Sequence, residues 1–488
     1  MSDERAILHG KRVLIVGLGR SGLAAAILCA ARGAAEVTVT DRNDADKLGP
    51  ALAKLPAGVR RELGGHRLET FVGCDLIVLS PGVPPIPEID AARAAGVAIT
   101  GELELASRFI EAPLVAITGT NGKSTTTTLC GQMLRATGAP TFVGGNLGTP
   151  LAEAVGTPAS GPRGYCVVEV SSFQLETARA FHPRVAVLLN ITPDHLDRYP
   201  DMDAYAAAKA RIFAAQGPGD FAVVNVDDAL VMRAAAGAAS RIIGLSTEQP
   251  APNGAGAGAA GGWVQGDDLL IRLPGAPPEL YPGTLPALVG RHNQQNALAA
   301  LLAARLAGCS GAEARRALLE FRPLAHRMEL VAESHGVAYY DDSKGTNVGA
   351  VVATLKGFPR PVVLIAGGRD KGGDYGPLAA ELAKVGRAVV LIGEAADRMA
   401  AALPVTLPVQ RAASMEQAVA LAAHLAQPGD AVVLSPACSS FDMFRNYLHR
   451  AEVFRAAVQA VTGPGQKSDG DNNGDGGGVF ITHDERRV

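Results

Sequence analysis

The stretch from Val115 to Thr127 constrains the fold more than any other part of the chain. An apolar, strand-like run breaks at Gly119 and Gly122, presents Lys123 and Ser124, and then enters a helical pattern. Such a turn points several backbone N–H groups at one place beside the positive end of a helix, a geometry that binds phosphate oxygens. Lys123 supplies a charge suited to the β- and γ-phosphates, and the Ser124 hydroxyl suits the accompanying Mg²⁺. The sequence therefore predicts an α/β domain with an ATP site.

This loop is a shortened variant of the usual phosphate-binding pattern. Ile117 stands five residues before Gly122, where a glycine is usual, and Gly119 is the only earlier glycine of the loop. The alternative is a glycine turn before a helix, with Lys123 merely solvated. The order of strand, loop, Gly-Lys-Ser and helix favours the phosphate site.

Bulk properties narrow the class of protein. A chain of 488 residues exceeds one ordinary core and favours about three domains. The formal net charge of −3 shows no basic excess, so a nucleic-acid partner is not favoured. The six cysteines are scattered, without metal-ligand or redox spacing, which fits a reducing cytoplasm. The acidic start is typical of neither a signal peptide nor a spanning helix, so we expect a cytoplasmic protein without a membrane partner.

The first segment is typical of a nucleotide-binding βαβ unit. A buried strand precedes the glycine-rich turn Gly17–Gly22, and a second strand ends at Asp41, nineteen residues after Gly22. On its own this fingerprint favours an NAD-dependent dehydrogenase. A later strand leads to the loop Ser80–Pro84, which is either a ligand loop at a strand's carboxyl end or an ordinary turn.

Polar residues follow further strands after the phosphate loop. Glu169 ends an apolar strand, a common position for an Mg²⁺ ligand, with an N-cap or surface acid as the alternative. His195 follows the next strand, where we favour a functional over a structural histidine. Lys209 lies in an Ala-rich segment whose composition predicts a solvated lysine. Asn293 and Asn296 precede a long helix predicted from Ala297, and either cap it or contact a nucleotide base.

The pattern predicts a three-domain α/β fold. A Rossmann-like N-terminal domain covers residues 1–108, and a central P-loop ATPase-type domain covers 109–322. The Gly/Ala/Pro-rich region 245–287 is predicted as a flexible insertion around weak strands near Trp263 and Leu269–Leu273. Repeated strand, polar loop and helix units predict a C-terminal Rossmann-like domain over 323–463, with its first strand at Val337. The Gly/Asp/Asn-rich tail, 464–488, is expected to be disordered.

The motifs together resemble the ATP-dependent Mur ligases of bacterial cell-wall synthesis, from roughly residue 10 to 460. The resemblance rests on five motifs: Gly119–Thr125, Glu169–Leu175, Leu189–Tyr199, Asp342–Asn347 and Ser435–Asp442. It is most specific for members that join D-glutamate to UDP-N-acetylmuramoyl-L-alanine. It implies an acyl-phosphate, a tetrahedral intermediate, and release of ADP and phosphate. It also implies that the first domain binds UDP and not NAD.

The resemblance implies roles for particular residues. Two Mg²⁺ ions would be held by Ser124, Glu169, His195 and carbamylated Lys209, a modification that turns a cation into an anionic oxygen ligand. Catalytic roles fall to Lys123, Asn146, His195, Lys209 and Lys344. ATP contacts fall to Gly119, Thr120, Asn121, Gly122, Lys123, Ser124, Thr125, Asn293, Asn296, Arg327, Asp342, Lys344 and Thr346. The UDP-muramoyl substrate would contact Gly19, Arg20, Ser21, Asp41, Ser80, Gly82, Asn146, Ser171 and Gln174. D-glutamate would contact Lys371, Ser440, Phe441 and Tyr447.

Two alternatives remain at this point. One is a sister ligase for another amino acid, or folate polyglutamylation, against which the Ser171–Leu175 run and the Gly17–Gly22 domain argue. The other is an NAD-binding redox or sensor protein with a vestigial P-loop, which leaves Lys123, Glu169 and His195 unexplained. We expect a monomer whose third domain closes on ATP.

Overall fold

The α/β fold predicted from the sequence is confirmed in three separate sheets. The computed structural model describes residues 7–196, 198–249, 259–285, 288, 290–322, 324–356, 358–463 and 479–480. Within these residues, no helix is both long and apolar enough to span a bilayer. Of the tail predicted to be disordered, all but residues 479–480 lie outside the described residues.

The first sheet is fully parallel and has the order β3-β2-β1-β4-β5. Its strands are β1 (Arg12–Val16), β2 (Glu36–Asp41), β3 (Arg60–Leu63), β4 (Leu76–Leu79) and β5 (Ala98–Gly101). The helices between and after them are α1 (Arg20–Ala31), α2 (Ala45–Leu52), α3 (Leu68–Gly73), α4 (Pro87–Ala94) and α5 (Glu102–Ser107). The strand order reverses between β1 and β4, so the loops after these two strands flank the crevice where ligands bind in such sheets.

The second sheet places the phosphate loop at its centre. Its strands are β6 (Leu114–Thr118), β7 (Thr141–Gly145), β8 (Tyr165–Glu169), β9 (Val185–Leu188), β10 (Phe221–Asn225), β11 (Arg241–Ser246), β12 (Gly261–Gln265), β13 (Asp268–Arg272) and β14 (Pro278–Pro282). The order is β14-β13-β12-β11-β10-β9-β6-β8-β7. Strand β6 pairs in parallel with β8 and β9, so the residues that follow these three strands share one edge.

Helices cover this second sheet. They are α6 (Lys123–Arg135), α7 (Ser172–Leu175), α8 (Met202–Ala210), α9 (Ala229–Ala235), α10 (Arg291–Leu306) and α11 (Gly311–Glu320), with short 3₁₀ helices at Leu151–Ala154, Pro158–Ser160 and Arg211–Phe213. Strand β6 is buried along its whole length, as its continuous apolar run predicts.

Part of the segment expected to be a flexible insertion forms regular structure. Strands β12, β13 and β14 continue the second sheet, the last two in antiparallel pairing. Their apolar residues Trp263, Leu269 and Ile271 are buried, which holds these strands on the sheet. Residues 250–258 lie outside the described part of the chain.

The third sheet is mostly parallel, with the order β19-β18-β17-β20-β16-β15-β21. Its strands are β15 (Glu329–Ser334), β16 (Val337–Asp341), β17 (Val362–Gly367), β18 (Gly386–Ile392), β19 (Val409–Arg411), β20 (Ala431–Leu434) and β21 (Val479–Phe480). Its helices are α12 (Val348–Leu355), α13 (Gly376–Val385), α14 (Ala396–Ala402), α15 (Met415–Leu425) and α16 (Tyr447–Thr462).

The expectation that this sheet starts at Val337 is wrong. Strand β15 comes first and forms an antiparallel hairpin with β16, and β21 pairs with β15. Leu330 and Val331 of β15 are only half-buried, so the segment lacks the continuous buried run that marks β17 and β20.

Contacts divide the chain into two compact units. The first comprises residues 1–191, 201–285 and 294–321 and contains the first two sheets. The second comprises residues 192–200, 286–293 and 322–488 and contains the third sheet.

Candidate active site

The phosphate loop is closed by its own lysine. Lys123 Nζ donates to the carbonyl oxygens of Gly119 at 2.9 Å and Thr120 at 2.8 Å. Gly122 has φ +83°, and a Cβ on it would lie 2.2 Å from Asn296 Oδ1. Both the left-handed conformation and this close approach require glycine. The first N–H groups of α6 therefore follow directly on a tight turn, which is the predicted anion-binding geometry.

Glu169 joins two other predicted residues. Ser124 Oγ donates to Glu169 Oε2 at 2.6 Å, and Asn146 Nδ2 donates to Glu169 Oε1 at 2.6 Å. Ser124 and Glu169 are each 3% exposed. A hydroxyl and a carboxylate side by side at the end of a P-loop are hard oxygen donors of the kind that Mg²⁺ prefers.

Lys209 is buried against the same loop. It is 1% exposed, its Nζ donates to the carbonyl oxygen of Gly119 at 2.9 Å, and it lies 4.6 Å from the centre of the Tyr205 ring. The surface lysine predicted from composition is wrong, because α8 packs this face onto the phosphate loop. The resemblance had placed Lys209 in the site.

Asn293 and Asn296 lie inside a helix and do not precede it. Helix α10 begins at Arg291, so the expectation of a helix from Ala297 is wrong. Thr126 Oγ1 donates to Asn296 Oδ1 at 3.4 Å, and Asn296 is buried against the phosphate loop in the first unit. Asn293 belongs to the second unit.

Two predicted residues, Asp41 and Ser80, form hydrogen bonds with the glycine turn that follows β1. The backbone N–H of Leu18 donates to Asp41 Oδ2 at 2.7 Å, and Ser80 Oγ donates to the carbonyl oxygen of Gly17 at 2.7 Å. A Cβ on Gly22 would lie 1.9 Å from that same carbonyl oxygen, so the close approach of α1 to the turn at this point requires glycine. Asp41 and Ser80 thus shape the turn that carries Gly19, Arg20 and Ser21.

Arg20, at the start of α1, joins the first sheet's domain to the loop after β7. Arg20 Nη1 donates to the carbonyl oxygen of Gly148 at 3.4 Å, close to Asn146 along the chain. Ser171 and Gln174 form a capping box at the start of α7, each side chain accepting from the other residue's backbone N–H. Gly82 has open space where a Cβ would stand.

In the second unit, Asp194 contacts residues from three loops. Its Oδ1 accepts from the His195 backbone N–H at 3.0 Å and lies 3.4 Å from Lys371 Nζ. Its Oδ2 accepts from Asn347 Nδ2 at 3.1 Å. Burial raises the pKa of Asp194, but the Lys371 ammonium and His195 lower it by more, so the pKa of Asp194 lies below its ordinary value. His195 has a left-handed backbone, φ 57°, which presents its ring beside this carboxylate.

The predicted ATP contacts of the second unit cluster after β16. Lys344 Nζ lies 4.0 Å from the centre of the Tyr447 ring, a cation–π contact. Asp342 is buried and accepts from Ser435 Oγ at 2.6 Å. Burial raises the pKa of Asp342 to about 6, opposed by Ser435 and the charge of Arg327. Thr346 donates its backbone N–H to the Lys344 carbonyl oxygen at 2.9 Å.

The predicted D-glutamate residues come from two loops and a helix. Ser440 is 3% exposed, whereas Phe441 beside it is 66% exposed. Tyr447 begins α16, and Lys371 lies in the loop after β17. Within the second unit, the backbones of Arg369 and Ser439 form an isolated bridge that joins the two loops.

Three family models match the chain and cover most of it. They are the Mur ligase MurD-like N-terminal domain over residues 11–101, the Mur ligase middle domain over 117–304, and the Mur ligase glutamate ligase domain over 326–438. The chain belongs to the Mur ligase family. The predicted three-domain organisation is thereby confirmed, and the NAD interpretation of the first sheet loses its support.

Curated relatives and solved structures agree with the Mur ligase assignment. A UDP-N-acetylmuramoylalanine–D-glutamate ligase of Geotalea daltonii is 48% identical over 93% of this chain and 99% of its own length. A ligase of the same name from Anaeromyxobacter dehalogenans is 50% identical over 92% and 97%. A pseudomurein peptide ligase type C of Methanothermus fervidus shares the fold at TM-score 0.59 and 19% identity, covering 92% of this chain and 100% of the other.

Two residues of this Mur ligase that sequence reasoning did not assign to the site contact the phosphate loop. Asn190 Oδ1 accepts from the Asn121 backbone N–H at 2.8 Å, and its Nδ2 donates to the Asn121 carbonyl oxygen at 3.1 Å. The Tyr205 hydroxyl lies 3.3 Å from Thr120 Oγ1. The position of Asn190, two residues after the end of β9, was the available signal, since residues after β6 and β9 share an edge of the sheet.

Proposed function

We propose that this chain joins D-glutamate to UDP-N-acetylmuramoyl-L-alanine, with ATP as the energy source and ADP and phosphate as products. The substrate assignment rests on the sequence identity of 48–50% to D-glutamate ligases, which extends along nearly the whole length of both chains. The match of all three Mur ligase domains supports the same assignment.

The chemistry explains why the chain needs a phosphate loop. A carboxylate is a poor acceptor for an amine, so ATP first converts it to an acyl phosphate. The amine of D-glutamate then attacks the acyl carbon, and phosphate leaves from the tetrahedral intermediate. Most of the acceleration comes from holding the reactants in line and neutralising the phosphoryl charge. Lys123 and the N-terminus of α6 suit this task because they place positive charge at one point.

The donor set of the first unit fits a divalent cation. Ser124 and Glu169 would hold Mg²⁺, whose chemistry is to neutralise phosphate charge during transfer. Carbamylated Lys209 and His195 complete our assignment for a second ion. The position of Lys209 supports it, because the side chain is buried against the phosphate loop and carbamylation would turn it into an anionic oxygen ligand there.

The remaining substrates are assigned to the two ends of the chain. The turn Gly17–Gly22, with Asp41 and Ser80, takes the UDP moiety. Lys371 is the cation for a D-glutamate carboxylate, with Ser440, Phe441 and Tyr447 around it. All six cysteines are free thiols, which suits a cytoplasmic enzyme, and we assign it as a monomer.

The test is phosphate release from ATP in the presence of UDP-N-acetylmuramoyl-L-alanine and one amino acid at a time. D-glutamate should stimulate release, whereas L-glutamate, L-alanine and L-lysine should not. Equal rates with and without D-glutamate would remove the assignment. Stimulation by another of the amino acids would move the chain to a different Mur ligase activity.

A further inference from the structure

The loop after β17 is held by a side chain that our functional assignment does not use. Asp370 Oδ1 accepts from the Gly372 backbone N–H at 2.9 Å and from the Tyr375 hydroxyl at 2.9 Å. Asp370 Oδ2 accepts from Arg398 Nη1 of α14. Burial raises the pKa of Asp370, but these hydrogen bonds lower it by more, so the pKa of Asp370 lies below its ordinary value. Asp370 is thus the centre of the short turn that carries Lys371.

Arg398 contacts this turn at three points. Besides the Asp370 carboxylate, its Nη2 donates to the Gly373 carbonyl oxygen at 3.1 Å. Its guanidinium carbon lies 5.6 Å from the centre of the Tyr375 ring. A planar guanidinium that makes two hydrogen bonds and a ring contact fixes direction better than a single point charge does. The turn therefore has one preferred orientation relative to α14.

Tyr375 connects this turn to the loop after β20, which carries Cys438 and Ser440. Its ring is 5% exposed, and its oxygen lies 3.4 Å from Cys438 Sγ. Because the single phenolic proton is donated to Asp370, the thiol is the donor in the contact with Cys438. Burial raises the pKa of Cys438 to about 11, so the thiol keeps the proton that it donates. Cys438 stands two residues before Ser440.

A backbone contact ties the same two loops at another point. The Arg369 backbone N–H donates to the Ser439 carbonyl oxygen at 2.9 Å. A backbone tie alone leaves the end of the turn beyond Asp370 free to rotate. The side-chain contacts through Tyr375 hold the other end, so the backbone of Lys371 lies between two fixed points, and its Nζ lies 3.4 Å from Asp194 Oδ1.

We propose that Arg398, Asp370, Tyr375 and Cys438 form a relay that positions Lys371 against Ser440 and Phe441 and thereby sets the affinity for the amino-acid substrate. None of the four is assigned a contact with that substrate, so they are positioning residues. The inference rests on the proposed function, because it takes Lys371, Ser440 and Phe441 as the D-glutamate pocket.

The decisive variant is Tyr375→Phe, which removes both hydrogen bonds and keeps the ring. Loss of the hydrogen bond to the Asp370 carboxylate, together with the weaker one with the Cys438 thiol, should raise the KM for D-glutamate about ten-fold. The KM values for ATP and for the muramoyl substrate, and kcat, should stay within about two-fold, since only ground-state binding of one substrate changes. Tyr340→Phe is the control, because it removes a hydroxyl from a half-buried tyrosine of β16, in the same unit, whose ring packs on Phe358. Its kinetics should equal the wild type.

A double-mutant cycle separates positioning from a general loss of structure. In a Lys371→Ala background the Tyr375→Phe change should alter the KM for D-glutamate by less than about two-fold, because the relay then has no cation to place. A surface variant, Arg398→Ala, covers the case that Tyr375→Phe fails to fold. Arg398→Ala should raise the same KM, and Arg398→Lys should restore part of the loss.

The outcomes that overturn the relay are distinct from failure of the function. If the wild type responds to D-glutamate but Tyr375→Phe and Arg398→Ala keep its KM, the relay is wrong and the function stands. Additive effects of Tyr375→Phe and Lys371→Ala would also reject it. If D-glutamate does not stimulate the wild type at all, the proposed function and the relay fall together.

Discussion

Ser124 donates its hydroxyl hydrogen to Glu169 Oε2 across 2.6 Å, although 45 residues separate the two. The contact follows from the sheet, because β6 and β8 are parallel neighbours with Ile117 beside Glu169. The hydroxyl at the start of α6 and the carboxylate at the end of β8 therefore meet at one edge. In our assignment, a Mg²⁺ ion bound with ATP uses both oxygens.

Glu169→Gln tests this pair. The amide keeps the shape of the side chain but removes the charge that holds the cation, so we expect kcat to fall by about 100-fold or more. The Mg²⁺ concentration for half-maximal rate should rise as well. Steady-state phosphate release over a Mg²⁺ titration measures both quantities. The exposed carboxylate of Glu153 gives the control, Glu153→Gln, and a variant at position 169 with wild-type Mg²⁺ dependence would contradict the metal role.

Lys209→Ala tests the carbamylation. Loss of the anionic ligand should lower kcat by about 100-fold, on the scale of other preorganised electrostatic contacts. Wild-type protein equilibrated with ¹³C-bicarbonate should show a carbamate carbon signal in its NMR spectrum, and Lys209→Ala should not. Lys384→Ala, at a side chain 66% exposed, is the matched control and should keep signal and rate. Full activity of Lys209→Ala, or a carbamate signal that survives in it, would reject the assignment.

The sequence predicted the sheets where burial leaves a strong local pattern. Strands β6, β8 and β9 are buried and mainly apolar. Ser124, at the start of the helix that follows β6, meets Glu169, the last residue of β8, because β6 and β8 are parallel neighbours. Strand β15 was missed because Leu330 and Val331 are only half-buried and the segment lacks a continuous buried apolar run.

The position of Lys209 was beyond any local pattern. Its neighbours are alanines, and its hydrogen bond to Gly119 spans 90 residues. Burial of such a lysine depends on which face of α8 meets the phosphate loop, and composition does not encode this. Asn296 shows the same limit, because its contact with Gly122 and Thr126 depends on where α10 packs.

Closure of the third domain is tested in solution. We expect a smaller radius of gyration by X-ray scattering when a non-hydrolysable ATP analogue and the muramoyl substrate are both present, since ATP contacts are assigned to both compact units. Arg327→Ala should weaken the compaction, because it removes an assigned contact of the second unit. An unchanged radius in the wild type would contradict closure.

Glu102 is a buried carboxyl at the junction of the first two sheets. It begins α5, is 2% exposed, and its Oε1 accepts from the Ala152 backbone N–H at 2.6 Å. Among the described residues, its Oε2 has no hydrogen-bond partner. Burial raises the pKa of Glu102 to about 7, with a further contribution from Glu153. The folded state therefore binds this proton more tightly than the unfolded state does.

That difference makes the stability of the first unit depend on pH. Between the ordinary pKa of a glutamate and about 7, the folded state holds more protons, so the free energy of unfolding falls as pH rises and the loss is complete above the folded pKa. Glu102→Gln removes this titration, and we expect its stability relative to the wild type to rise by roughly 2–3 kcal/mol between pH 5 and pH 8. Trp263, the single tryptophan and buried in the same unit, reports unfolding by denaturant. Glu153→Gln should change the pH dependence of the free energy of unfolding only slightly. If the difference in this free energy between Glu102→Gln and the wild type does not change with pH, Glu102 is already ionised in the folded protein.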